Sequence, residues 1–362
     1  MCTSDPLPWH GGDVRYIVIG TGAVGGTIGG LLAAAGQDVV LVARGRQLEA
    51  LRAGGLEVWT PQGVHEIRPQ VAAGPEEVEL LADDVLVLAV KGQDTAAALT
   101  AWVDRPVAGG GTAGERLVLV CAQNGVDNER AALRRFTHVV GMCVWLPATY
   151  LEPGHVQAIG APVSGVLPIG RVGMPADADS ALTARAGPSA GAAPDVLEQI
   201  SADLAAAGFR APIVSDVMAW KWSKLLSNLA NAVEALCGTE RDDAWHALAA
   251  LAGTEGRGVL AAAGVVPVPA EEQVEQLGDF EMRPGPDGRR GGGSSWQSLQ
   301  RGTGSIESDW LNGEIVLLGA LHGVATPVNA LLQRRARQAL ATQSGPGSVP
   351  ASVLLAELAG VG

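Results

Sequence analysis

The chain has 362 residues, 47% of them hydrophobic and 4% aromatic, and its 38 acidic and 25 basic side chains leave a net charge of −13. That length suits two domains, with cores resting on Leu, Val, Ile and Ala. The acidic balance excludes a large nucleic-acid footprint or affinity for an anionic membrane surface, and no apolar run approaches the roughly 20 residues that span a bilayer.

Residues 1–13 read as a disordered leader; they have neither the basic nor the apolar region of a signal peptide. An apolar strand at 14–20 leads into a Gly-rich turn and an Ala/Leu/Gly helix to about 36. Further buried strands fall at 39–43, 84–90, 117–122 and 139–145, with helices after 93 and over 127–136. Strands alternating with helical stretches imply a parallel sheet covered on both faces. Residues 156–159 and 166–169 look like strands added at its edge. The aperiodic stretches 105–114 and 174–194 read as surface insertions. After a helix near 195–207 and a short strand at 210–214, spacing is helical from 216 to about 342, with no convincing strand. The expected fold is α/β: an N-terminal Rossmann-type dinucleotide-binding domain over 14–214, carrying the insertion 174–194, then an all-helical C-terminal domain over 215–345. Residues 346–362 are left as a tail.

Cys2, Cys121, Cys143 and Cys237 are widely spaced with no C-x-x-C pair. No disulfide framework and no metal site are expected, and the cytoplasm is the default compartment. Of the 25 basic residues only Lys91, Lys221 and Lys224 are lysines; the rest are arginine. A lysine kept against that bias suggests chemistry needing a compact ammonium that can release its proton. Chance survival explains each one as readily until its context is known.

Gly20-Thr21-Gly22-Ala23-Val24-Gly25 is a G-x-G-x-x-G placed directly after a strand and opening a helix, the setting a dinucleotide fingerprint requires. The first Gly permits the tight turn, the second lets backbone approach a pyrophosphate, and the third lets helix and strand pack closely. The second strand ends in Arg44-Gly-Arg46, where NAD enzymes usually carry a carboxylate. A guanidinium there can pair with a 2′-phosphate, so NADP is preferred over NAD. Lys91 and Asn124-Gly125 follow the third and fourth of these strands, on the rim where ligands of open α/β sheets bind. Asn-Gly is equally an ordinary turn dipeptide.

Lys224, Asn228 and Asn231 share one face of a long helix by i, i+4, i+7 spacing. Polar groups aligned there either face solvent or line a polar pocket. Lys221 reads as a solvated helix charge. Ser294-Ser295, and Glu307 to Glu314, come later; a Ser or Asp before a helix is more often a cap than a ligand.

Taken in order, Gly20/Gly22/Gly25, Lys91, Asn124-Gly125, Lys224-Leu-Leu-Ser-Asn228, Ser294-Ser295 and Glu307 through Gly313 resemble the ketopantoate (2-dehydropantoate) reductase family over most of the chain. The resemblance implies a Rossmann domain followed by a helical domain, with the active site in the cleft between them. It implies NADPH-dependent reduction of a 2-keto acid, ketopantoate to pantoate, in pantothenate biosynthesis. Lys224 would be the general acid, with Asn228 and Glu307 bonding the substrate hydroxyl or holding the lysine. Ser295 would bind the substrate carboxylate, Asn124 would place the substrate against the nicotinamide, and Lys91 would lie near the nicotinamide. Gly20 to Gly25, Arg44, Lys91, Asn124 and Glu307 would contact the cofactor. The only partner implied is a small keto acid, and a homodimer stays open.

The chain departs from the family pattern at two positions. Where the family often has a second Asn, Ala232 stands here and Asn231 lies one residue earlier; an acidic position is Leu299. The alternatives are a β-hydroxyacid dehydrogenase, whose substrate loop residues 161–165 resemble, and a non-catalytic NADP-binding sensor. The block from Ser295 to Gly313 has no use in the former, nor Lys224 with Glu307 in the latter. Residues 161–165 read as a turn between edge strands.

Overall fold

The computed structural model describes residues 14–173, 195–285, 292–302 and 306–360; the leader 1–13 and the insertion 174–194 lie outside them. The described residues form two compact units. The first comprises 14–124, 128–173, 195–220 and 270–285, and the second the remainder.

The first unit is built on a seven-stranded sheet. Its strands are β1 (Arg15–Ile19), β2 (Asp38–Val42), β5 (Gln70–Ala72), β6 (Asp84–Leu88), β7 (Val118–Cys121), β8 (His138–Met142) and β12 (Ile169–Arg171). Their order is β12-β8-β7-β6-β1-β2-β5, and only the β12–β8 pairing is antiparallel. Strands such as Asp84–Leu88 are buried throughout, the mark of a sheet covered on both faces. From β1 the chain runs to β2 on one side and later to β6 on the other, so the strand order reverses beside the carboxyl end of β1. That switch point is where such sheets bind ligands.

One helix covers this junction. α1 (Ala23–Ala34) packs between the large sheet and a second, four-stranded one, ordered β4-β3-β10-β9. That sheet comprises the hairpin β3 (Leu56–Thr60) and β4 (Gly63–Ile67), with β9 (Ala148–Glu152) and β10 (His155–Ala158). The expected edge strand at 156–159 therefore belongs to another sheet, where β10 pairs in parallel with β3. At 166–169 a lone antiparallel bridge of Val166 to Trp145 precedes the strand, which begins at Ile169, and at 210–214 there are parallel bridges, not a strand. β11 (Gly160–Ala161) pairs with β13 (Glu281–Met282), so the stretch from 216 to 342 is not wholly strand-free; two paired residues are too few to leave a periodic signal.

Side-chain bonds lock the sheet to its helices. Tyr16 Oη donates to Asp203 Oδ2 at 2.5 Å, joining β1 to α6 (Val196–Ala206). Burial, first, and the carboxylate's charge push the Tyr16 phenol pKa upward. Arg15 forks onto Asp84 across β1 and β6 at 2.7 and 2.8 Å.

The second unit is helical. α7 (Val217–Asn228), within which the division falls, is followed by α8 (Ala230–Cys237), α9 (Asp243–Ala262), α11 (Ser294–Arg301), α12 (Asn312–His322), α13 (Pro327–Ala341) and α14 (Ala351–Ala359). α10 (Ala270–Leu277) belongs to the first unit. Leu225, Leu229, Val233, Leu248, Ile315 and Leu332 are among the core residues of the second unit, each contributing about 1.5–3 kcal/mol by leaving water. Residues 346–362 are not a bare tail, because α14 docks Leu354 into this core against α9.

Candidate active site

Packing explains two of the three glycines of the turn. Gly20 has φ +97°, and a Cβ there would lie 2.8 Å from Val90 Cγ1. A Cβ on Gly25 would sit 2.0 Å from the Gly20 carbonyl oxygen, so helix and turn touch backbone to backbone. Gly22 is the opposite case. It is exposed, it caps α1 with no side-chain cap bond, and a Cβ there would meet nothing within 4 Å. The helix has no acidic residue in its first turn. Ala23 and Val24 are half-buried, and the buried Thr21 hydroxyl has no hydrogen-bond partner among the described residues. An open, uncapped helix start with a spare hydroxyl beside it fits a pyrophosphate.

Arg44 caps α2 (Gly45–Gly54) and is exposed, as is Arg46. One residue on, Gln47 does what the sequence did not suggest. Its Nε2 donates to the Thr21 carbonyl at 3.0 Å, while its Oε1 accepts from Tyr150 Oη at 3.1 Å and Gly154 N at 2.9 Å.

The loops after β6 and β7 are likewise tied. Lys91, half-buried, precedes the 3-10 turn Gly92–Asp94. Gln123 Nε2 donates to the Val90 carbonyl at 2.7 Å and to Thr95 Oγ1 at 2.8 Å. Thr95 Oγ1 donates to Asn128 Oδ1, and Asn128 Nδ2 to the Asn124 carbonyl at 2.9 Å. The structure thus brings Lys91 and the half-buried Asn124 to neighbouring strand ends. Gln123 directly precedes the Asn124-Gly125 pair; Thr95 and Asn128 gave no local signal.

In the second unit, Lys224 is half-buried and Asn228 buried on α7. The expected single helix is interrupted at Leu229, which puts Asn231 on α8. Lys221 corrects the reading of a solvated charge: it is 2% exposed. At 3.6 residues per turn it lies within about 20° of Asn228, so it shares the inward face that periodicity assigns to Asn228.

Ser294 and Ser295 are also corrected as caps. Gly293 caps α11, and Ser295 is buried inside its first turn. The Gly293 N–H donates to Glu234 Oε2 at 3.0 Å, and a Cβ on Gly293 would be 3.6 Å from Asn231 Oδ1. Asn231 and the start of the Ser295 helix are therefore neighbours. Glu307, half-buried, opens the 3-10 turn Glu307–Asp309. Asn312 follows at the start of α12, and its Nδ2 donates to the Leu229 carbonyl at 3.2 Å. That bond anchors the Glu307 segment at the joint between α7 and α8. Among the described residues no helix is long and apolar enough to cross a membrane, and no cluster is arranged to hold a metal.

A sheet with a phosphate-ready turn at its switch point, followed by a helical unit bearing a lysine–asparagine face, defines a Rossmann-type NAD(P)-dependent oxidoreductase. The model of ketopantoate reductase PanE/ApbA matches residues 16–171, and that of its C-terminal domain matches 216–339. The chain belongs to the ketopantoate reductase PanE/ApbA family. It is 29% identical to the 2-dehydropantoate 2-reductase of Archaeoglobus fulgidus, over 88% of this chain and 95% of that protein. The Caulobacter vibrioides 2-dehydropantoate 2-reductase is 30% identical over 87% and 95%. The crystal structure of a PanE/ApbA family ketopantoate reductase from Ralstonia eutropha JMP134 superposes with a TM-score of 0.69 at 27% identity, covering 91% of this chain and 99% of that one.

Proposed function

We propose that the chain reduces ketopantoate to pantoate with NADPH, and that Lys224 is its general acid. The observation that carries this reading is the half-buried Lys224 on one helix face with the buried Asn228. A polar face of this kind is costly unless it meets polar groups. When bound, NADPH supplies the hydride to the keto carbon. The Lys224 ammonium gives its proton to the carbonyl oxygen as charge develops there. Asn228 and Glu307 hydrogen-bond the nascent hydroxyl or hold the lysine. Ser295 takes the substrate carboxylate, with Asn231 beside it. Asn124 orients the substrate, and Lys91 stabilises its negative charge. The turn from Gly20 to Gly25 holds the pyrophosphate, and Arg44 selects the 2′-phosphate of NADPH over NADH.

The test is NADPH consumption with ketopantoate, followed by the loss of reduced-nicotinamide absorbance, beside a Lys224→Ala variant. Brisk turnover that falls roughly 10²-fold or more in the variant supports both substrate and acid. Binding of NADPH with no turnover of ketopantoate overturns the substrate. Turnover that survives Lys224→Ala overturns the acid.

A further inference from the structure

Two side-chain amides lie fully buried in the second unit, Asn312 and Asn329, each 0% exposed. They sit among Leu229, Ala252, Ile315 and Leu332 of the apolar core. An amide in such surroundings costs free energy unless it is bonded, and their nitrogens and the Asn329 oxygen are bonded in series, while Asn312 Oδ1 has no partner among the described residues. Glu255 accepts from the backbone N–H of Val328 and of Asn329 at 2.9 and 2.8 Å, at the first turn of α13. Its Oε1 also accepts from Asn329 Nδ2 at 2.7 Å, and that nitrogen reaches the Ala252 carbonyl at 3.1 Å. Asn329 Oδ1 accepts from Asn312 Nδ2 at 2.9 Å, and the same nitrogen donates to the Leu229 carbonyl at 3.2 Å. The series runs from a carboxylate on α9, through the heads of α13 and α12, to the residue directly after Asn228.

Capping alone does not account for this route. Glu255 already satisfies the start of α13, and that requires nothing of Asn312. The far end falls at Leu229, which links the helix carrying Lys224 and Asn228 to the one carrying Asn231; its backbone stays helical (φ −59°, ψ −31°) and its N–H donates to the Leu225 carbonyl at 3.1 Å, so the interruption is one of ladder bonding. No Gly or Pro stands there to break it; a side chain bonding into the helical ladder is a known cause of such interruptions. Asn312 also lies five residues after Glu307, at the end of the same short segment.

We infer that Asn312, held by Asn329 and Glu255, is a positioning residue: it sets the joint at Leu229 and so the register of Glu307 against Lys224 and Asn228. The inference rests on the proposed roles of those three residues. One amide nitrogen ties two things together, the junction of the Lys224 and Asn231 helices and the end of the segment that carries Glu307.

The experiment compares the parent chain with Asn312→Asp, which keeps the shape but removes the donor, and with Tyr16→Phe, which loses a buried bond far along the chain in the first unit. We expect kcat with ketopantoate to fall about tenfold in Asn312→Asp, from a lost hydrogen bond of about 1–1.5 kcal/mol. The KM for NADPH should change less than twofold, and the pH profile of kcat should move. Without cofactor, amide exchange should quicken over 226–233. Tyr16→Phe should melt lower with kcat and pH profile intact. A folded Asn312→Asp with parental kcat and pH profile overturns the inference, whatever its melting point. If Asn312→Asp does not fold, Glu255→Gln is read by the same criteria with a smaller kcat loss, about threefold; parental values there overturn it. A parent chain inert toward ketopantoate overturns the functional reading instead, and the inference with it.

Discussion

Gln47 Nε2 donates to the carbonyl of Thr21 at 3.0 Å, so the helix that begins at Arg44 is fastened to the turn between Gly20 and Gly22. Two adjacent parts of a bound dinucleotide, its pyrophosphate and its adenosine ribose, would thus meet stretches of the chain already joined. Gln47→Ala removes that bond and leaves Tyr150 Oη and Gly154 N without their acceptor. NADPH affinity should fall about tenfold while kcat at saturating NADPH holds. A fluorescence titration of NADPH reads the first and steady-state kinetics the second; unchanged affinity leaves Gln47 a purely structural clasp.

The glycines of the turn should divide by phenotype. Gly22→Ala meets open space, so the variant should melt like the parent and lose NADPH binding. Gly25→Ala drives a Cβ against the Gly20 carbonyl, and overpacking of that kind costs about 1–3 kcal/mol or more. Thermal melts with and without NADPH separate the two, and equal melting points would contradict the packing argument.

Arg44→Asp should turn cofactor preference. A charge-assisted hydrogen bond of about 1.5–3 kcal/mol corresponds to about 10- to 100-fold in affinity, so NADPH should weaken by that factor and NADH should gain. An unchanged NADPH-to-NADH ratio of kcat/KM would mark Arg44 as a solvated loop arginine.

Stability of the first unit should hinge on Arg15. It pairs with Asp84, whose side chain is wholly buried, and removing one partner of a buried pair typically costs about 3–5 kcal/mol. Arg15→Ala should shift the urea midpoint accordingly, and adding Asp84→Asn should recover part of the loss. A loss below about 1 kcal/mol would place this pair with ordinary surface salt bridges.

The docking of α14 should be acid-sensitive. Hydrogen bonds from Arg335, first, and Arg334 hold the Glu357 carboxyl pKa below its ordinary 4.5. A depressed carboxylate contributes stability that is present above its unfolded pKa and is lost as pH falls through the folded value. The protection of Ala351–Ala359 amides, corrected for the intrinsic pH dependence of exchange, should therefore fall below about pH 4.5, and Glu357→Gln should flatten that dependence. Identical acid profiles in the two proteins would assign the effect elsewhere.

What could be read from the residues follows from how local the cause is. The glycine turn was legible because Gly20 and Gly25 act on each other across five residues. The second sheet was not, although Leu56–Thr60 alternates buried and half-buried residues and Gly63 closes its hairpin. Its other neighbour, β10, lies about a hundred residues away. Lys221 was misjudged as a solvated charge, when its azimuth beside Asn228 was the better guide. The break at Leu229 had no local sign, since Asn312, more than eighty residues on, supplies the group that bonds there. The parallel sheet, the strand-end positions of Lys91 and Asn124 and the shared helix of Lys224 and Asn228 could be anticipated; the polar ties that hold them could not.

The near absence of lysine gives the chain an unusual chemical surface. With Lys221 sealed at 2% exposure, acylating or carbonyl reagents that seek side-chain amines are left with Lys91 and Lys224. Protection of those two amines by ligand, followed by mass spectrometry, becomes a direct footprint of occupancy. Immobilisation through lysine would tether the molecule by the groups proposed to do its chemistry.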